Sequence, residues 1–279
     1  MNQSLLIGRY DDAEIEVIDT SHALAAHLCL FAILIRILFS PALLGTLGIA
    51  YEGDTGGSFI SKIHPSSYLI ILSFLLLIVR NENPVRNIIE IMQQNKILSG
   101  VIVVYALLTA YWAARNPSGV GIMLETHMMA PICALVLSYA PRSLCRRALY
   151  MFVAVTVINS SIGVGESIFK QRIFPYDDTV VFVKEEIFRS SALLGHPLNN
   201  AMFTSVMLPL AMILPMPKLL KGSVLLVILA SLVAFGGRAG LIFSVLGLLP
   251  VGINHLRQTM INKKTTLLQL IITLATVIL

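Results

Sequence analysis

Two arginine-bearing segments hold the residues best suited to chemistry. One runs Glu185-Glu186-Ile187-Phe188-Arg189-Ser190-Ser191-Ala192-Leu193-Leu194-Gly195-His196-Pro197-Leu198-Asn199-Asn200-Ala201, and the other, further along, reads Phe235-Gly236-Gly237-Arg238-Ala239-Gly240. A guanidinium presents a rigid fork of N–H donors that matches phosphate oxygens and stays charged at any accessible pH. Arg189 and Arg238 together would therefore suit a clamp on a diphosphate. Glycines flank Arg238, so backbone and guanidinium could both approach a ligand closely. The plainer reading is that each arginine only snorkels to lipid headgroups, and residue chemistry alone favours it.

Smaller signals surround this pair. Histidine titrates near neutrality, which makes His196 a candidate general base, although ordering the helix start beside Pro197 is the favoured role. Pro197 suits the first position of a helix, where its missing N–H has no intrahelical partner. Asn199 and Asn200 can satisfy orphan donors there or face a polar cavity. Glu166, near the end of an apolar run, is an ionisable group at membrane depth and so a candidate for orienting a hydroxyl or an arginine, with reaching the headgroups an equal alternative. Arg36 lies midway along the first apolar run, where it could pair inside the bundle. The cysteines, Cys29, Cys133 and Cys145, show no metal-ligand spacing and no disulfide pattern.

The elements that must position these residues follow from composition. Hydrophobic residues make up 56% of the 279 positions and charged residues 13%, against about 25% charged in soluble domains. Mean hydropathy is +0.83. In lipid an unmet backbone N–H or C=O is costly, so long apolar runs must be helical. The expected fold is all-α: a polytopic transmembrane bundle of about nine helices. The spans fall near 22–46, 65–79, 97–113, 127–141, 148–168, 198–214, 222–236, 239–255 and 266–279, behind a polar tail at 1–21. That tail is acidic (Asp11, Asp12, Glu14, Glu16, Asp19), the reverse of a secretory signal's basic start.

Lys and Arg set the orientation. One set of alternate connectors holds Arg80, Arg86, Lys96, Arg142, Arg146, Arg147, Lys218, Lys221, Arg257, Lys263 and Lys264, whereas the short connectors of the opposite set hold Lys62, Arg115 and Arg238. The first set is expected in the cytoplasm, with the N-terminus, and the long connector 169–197 outside. That connector adds Lys170, Arg172, Lys184 and Arg189, offset by Asp177, Asp178, Glu185 and Glu186. The last span stops at Leu279 while still apolar, as expected of a truncated product that lacks an outward segment.

The Arg189…Gly195-His196-Pro197…Asn199 element, followed by Gly-Gly-Arg-Ala-Gly at 236–240 opening a Leu-rich helix, resembles the bacterial O-antigen ligase and polysaccharide polymerase superfamily, most closely its exopolysaccharide, VpsF-like branch. The likeness covers 185–250 and is topological elsewhere. It implies an inner-membrane enzyme that moves a glycan from a polyprenyl diphosphate carrier to an acceptor sugar on the outer face, without a metal or other cofactor. Arg189 and Arg238 would then hold the diphosphate, Glu166 a sugar hydroxyl or an arginine, and Asn199 and Asn200 the acceptor or the loop. Three departures stand out. Gly237 replaces the family's usual Ser, the Arg189–Gly195 spacing is long, and the family's catalytic histidine belongs to an outer loop beyond the last helix here. This chain alone is therefore expected to be catalytically incomplete.

Two other classes compete. A transporter would show repeated halves or broken helices with midplane charges, and neither is visible. A non-enzymatic scaffold among polysaccharide assembly proteins remains compatible with the composition. The net charge of +5 reflects the positive connectors. With no basic stripe interleaved with aromatics, it gives no reason to expect nucleic acid as a partner.

Overall fold

The structure is a computed structural model that describes residues 20–49, 63–79, 83–115, 120–174, 188–238 and 240–249. All of their regular secondary structure is helical: α1 Thr20–Leu38, α2 Pro41–Thr46, α3 Pro65–Ile78, α4 Pro84–Gln94, α5 Lys96–Arg115, α6 Val120–Met123, a π turn Leu124–Met128, α7 Met129–Ser138, α8 Arg142–Phe169, α9 Pro197–Ile213, α10 Lys218–Ala234 and α11 Gly240–Leu249.

Three helices start in the same way, with a side-chain acceptor before a proline at the first helical position. Ser40 Oγ accepts from the Leu43 amide, Asn83 Oδ1 from the Arg86 amide and His196 Nδ1 from the Leu198 amide. The first of these starts corrects the expected single span over 22–46. The helix ends at Leu38, and Ser40-Pro41 begins α2. Arg36 consequently stands in the last turn of α1, where a cation meets the helix's negative end, and not at mid-span. The second start reveals α4 within the segment expected to connect two spans. The ninth expected span, 266–279, most of the polar tail and residues 175–187 of the 169–197 connector lie outside the described residues.

The chain divides into two compact units. Unit 1 comprises 1–32 and 65–145, and its core gathers Leu77, Ile78, Ile91 and Leu135. Asn87 of α4 donates to Ile78 O at 2.8 Å, closing the carbonyl end of α3. In the π turn Glu125 accepts from Ser67 Oγ at 3.3 Å, and the His127 ring stacks on Tyr105 at 5.2 Å between centres.

Unit 2 comprises 33–64 and 146–279. Val153, Met207, Leu208, Ala211, Val224 and Ile228 pack α8, α9 and α10 together. Nearer the far end of α8 the core turns polar, with Thr156, Asn159, Ser160, Glu166, Asn200, Thr204 and Ser231 all buried. Ser231 Oγ donates to Ser160 Oγ at 2.9 Å, a bond that ties α10 to α8.

Among the described residues two helices are long and apolar enough to cross a membrane, α5 and α8. Only 11% of the apolar window of α5 and 33% of that of α8 is buried. A core helix of a soluble protein hides its apolar face, whereas α5 exposes Ile97, Val104, Leu107 and Tyr111 on several sides.

Candidate functional site

The two arginine segments meet in unit 2, and the contacts that join them are backbone or aliphatic. The Ser190 amide donates to Ala234 O, at the end of α10, at 3.2 Å. Gly236 has φ of +65°, and a Cβ placed there would lie 3.2 Å from Arg189 Cδ and 3.3 Å from its Nε. Glycine at 236 therefore both permits the left-handed turn and leaves room for the Arg189 stem. Phe235 anchors the second segment from beneath. It is fully buried, and its ring lies where a Cβ on Gly163 of α8 would fall, 2.4 Å away. Arg189 and Arg238 are both exposed, and the Arg238 segment follows Gly236 directly.

Glu166 holds the first segment in place. Its Oε1 accepts from the amides of Ile173 at 2.8 Å and Phe174 at 3.4 Å, and its Oε2 accepts from the Ser190 hydroxyl and from the amides of Ser191 and Ala192, both at 2.9 Å. One fully buried side chain thus pins both described flanks of the long connector. The expectation that Glu166 orients a sugar hydroxyl or an arginine is corrected accordingly, because both oxygens are turned to the loop. Ala192 has φ of +40°, an uncommon conformation for a side chain with a Cβ, and the Glu166 bond to its amide helps to hold it.

The asparagines divide by burial. Asn199 is exposed on the first turn of α9. Asn200 is buried, and its Nδ2 donates to Ser191 O and, at 2.9 Å, to His196 O, so it orders the loop. His196 caps α9 through Nδ1, 3.2 Å from the Leu198 amide, the ordering role favoured from sequence. Gly195, at φ of +70°, sits close over Ser40: a Cβ there would approach Ser40 Oγ to 2.9 Å.

Sequence reasoning did not single out several contributors. Asn159 Oδ1 accepts from the Leu193 amide at 3.0 Å, giving the loop a second anchor on α8. Lys170 Nζ and Arg172 Cζ lie 5.6 and 5.5 Å from the centre of the Phe188 ring, which places two more cations beside the residue preceding Arg189. A signal for these cations existed: they stand in a connector where the orientation rule expects few positive charges. Gly237 and Gly240 have a different task from the one expected. A Cβ on Gly237 would fall 2.3 Å from Ala201 Cβ, and one on Gly240 would fall 2.9 Å from Ala201 O, so both glycines let α11 lie against α9. Among the described residues no group of three or more His, Cys, Asp and Glu side chains is placed to hold a metal.

The arrangement is a rim of exposed cations on a buried polar footing. Such a rim can hold an anion at the end of a helical body, and its loop is fixed by bonds to α8 before any ligand arrives. No family model, curated protein or solved structure matches the chain.

Proposed function

We propose that the chain is a multi-pass protein of the bacterial inner membrane, with its N-terminus in the cytoplasm, and that it acts in surface-polysaccharide synthesis as a glycan polymerase or ligase. Its donor would be a polyprenyl-diphosphate-linked oligosaccharide and its acceptor a sugar. The multi-pass reading is supported by polar burial together with apolar exposure. Several serines, Asn159, Asn200 and Glu166 are buried, while many leucines, valines and isoleucines stand exposed, the pattern expected where lipid surrounds a bundle held partly by small and polar residues. The shorter apolar helices α1, α3, α9 and α11 would complete the bundle.

The observation that carries the catalytic reading is the Arg189 side chain packed on Gly236, two residues from Arg238. In the proposed reaction the acceptor hydroxyl attacks the anomeric carbon and its proton passes to a base. The bond to the carrier breaks, and the electron pair leaves with the lipid diphosphate. Negative charge grows on that leaving group, so fixed guanidiniums there stabilise the transition state more than the ground state. Glu166, Asn159 and Asn200 act as positioning residues for the arginine loop, and His196 orders the start of α9.

The test is polysaccharide chain length on a gel in a strain whose only copy is Arg189→Ala or Arg238→Ala. Both variants should insert normally and lose long chains. Wild-type lengths from both would remove the proposed role. In a deletion strain, accumulation of single lipid-linked repeat units would indicate a polymerase, and accumulation of finished lipid-linked chains a ligase.

A further inference from the structure

Buried hydroxyls in unit 2 commonly satisfy themselves. Thr156 donates to Phe152 O, Ser205 to Met202 O, Ser231 to Ile228 O and Ser244 to Gly240 O, each about one turn back along its own helix. Thr204 does not. It is fully buried on α9, and its hydroxyl has no hydrogen-bond partner among the described residues. Three more atoms of fully buried residues share that condition: Asn159 Nδ2, Ser191 Oγ and Asn200 Oδ1. These four belong to one place. Asn200 Nδ2 donates to Ser191 O, so those two residues touch. Thr204 follows Asn200 by one turn on the same face of α9, about 6 Å away between Cβ atoms. Asn159 reaches the loop from α8, where its Oδ1 accepts from the Leu193 amide at 3.0 Å, two residues beyond Ser191. The other two such atoms, Ser99 Oγ and Thr109 Oγ1, are on α5 and stand roughly 15 Å apart along it.

The chemistry of the set names its ligand. Each asparagine is held by its other end: Asn159 Oδ1 accepts from an amide, and Asn200 Nδ2 donates to two carbonyls. That leaves one obligate donor, one obligate acceptor and two hydroxyls able to act as either. A cation would meet the Asn159 NH2, an anion would meet the Asn200 oxygen, and a hydrocarbon would leave all four unmet. A water molecule both donates and accepts, makes about three bonds, and is small enough for a site with no exposed side chain. An unmet buried polar atom is costly, and four in one seam would cancel much of the margin by which a protein stays folded. We propose that one or two water molecules are built into the seam where α8, α9 and the arginine loop meet, bridging Asn159, Ser191, Asn200 and Thr204. Direct bonds from Glu166 and Asn159 hold the loop to α8. The water adds a link shared by the loop and both helices, so the seat of Arg189 is a hydrated joint. This site does not depend on the proposed glycan transfer.

The experiment turns on a sign. Ser191→Ala and Thr204→Val each delete one of the four polar atoms, and neither hydroxyl has another bond to lose. In a dry seam each change would remove an unmet group and raise the thermal midpoint of the full chain in nanodiscs. With water bound, each removes one of its partners. Both variants should therefore lower the midpoint, by about 2–4 °C. The Leu193 amide, held by Asn159, should also exchange with solvent roughly tenfold faster in each. A raised or unchanged midpoint in either variant would overturn the site. A cryo-electron microscopy map that resolves buried water should show density among the four groups. A map that shows such waters elsewhere in the core and none in this seam would overturn it as well.

Discussion

Replacing Glu166 by glutamine should release the arginine loop while leaving the size of the side chain nearly unchanged. The carboxylate offers acceptors on both sides: the amides of Ile173 and Phe174 meet one oxygen, and the Ser190 hydroxyl with the amides of Ser191 and Ala192 meets the other. A glutamine has one oxygen and one NH2, so either orientation sets a donor against donors. The less damaging one keeps the oxygen toward Ser191 and Ala192 and turns NH2 toward Ile173 and Phe174. The Phe174 bond is long, at 3.4 Å, so the main loss is the 2.8 Å bond from Ile173. A buried amide left unsatisfied costs about 1–3 kcal/mol, and losing the ionic acceptor weakens the bonds that remain, for a total of about 2–4 kcal/mol. Hydrogen exchange followed by mass spectrometry reads this directly. If local opening governs exchange, the amide of Ile173 should exchange roughly thirty- to several-hundred-fold faster, by the same free energy, and those of Ser191 and Ala192, whose acceptor is weakened, by a smaller factor. Glu166→Asp, which keeps the charge but withdraws it by one methylene, should fall between. Unchanged protection of 190–192 in the glutamine variant would refute the account of Glu166 as the anchor of the loop.

Further outcomes follow from the same contacts. Gly237→Ser would place a Cβ 2.3 Å from Ala201 Cβ and should destabilise the α9–α11 contact by about 1–3 kcal/mol, as overpacking does. Ala201→Gly in the same chain should recover most of that loss in a thermal denaturation series, and failure to recover would place the clash elsewhere. The single tryptophan, Trp112, lies near the end of α5 and is 41% exposed, between Tyr111 and Arg115, as interfacial anchors are. In nanodiscs its fluorescence should be quenched by lipids brominated near the headgroup and little affected by aqueous iodide. The opposite quenching order would remove α5 from the bilayer.

Much of the helical framework was legible because its signals are local. The long apolar runs of α5 and α8 need no partner to be recognised. Two boundaries were misread although their signals were present. Ser40-Pro41 and Asn83-Pro84 each pair a capping side chain with a proline, yet the first lies inside a long apolar run and the second in a polar segment. Composition outweighed the caps in both cases. In α4 the apolar residues Val85, Ile88, Ile89 and Met92 repeat at helical spacing on an exposed side, while Asn87 and Ile91 are buried. Eleven residues are too few to cross a bilayer, so such a stripe suits a helix lying along its surface.

The site was legible by residue type and much less so by role. Arg189 and Arg238 are conspicuous wherever they fall, because guanidiniums are costly among apolar runs. What joins their segments is a backbone bond from Ser190 to Ala234 and a glycine opposite an aliphatic stem, neither of which has a side-chain signature. Glu166 raised the opposite difficulty, since a buried carboxylate invites a cation or a hydroxyl as partner and nearly all its bonds go to amides. The glycines around Arg238 are ambiguous for a deeper reason. In water, helices associate by hiding apolar surface, so a glycine near a charged residue suggests room for a ligand. Between lipid-exposed helices that driving force is weak, and close approach through small residues takes its place. Gly237, Gly240 and Gly247 bring Ala201 and Pro209 close, and only Gly236, at the turn, leaves its space to an arginine. The same stretch of sequence therefore both packs α11 onto α9 and presents a cation at the rim. A serine at 237 would require a smaller residue than Ala201 on the facing helix.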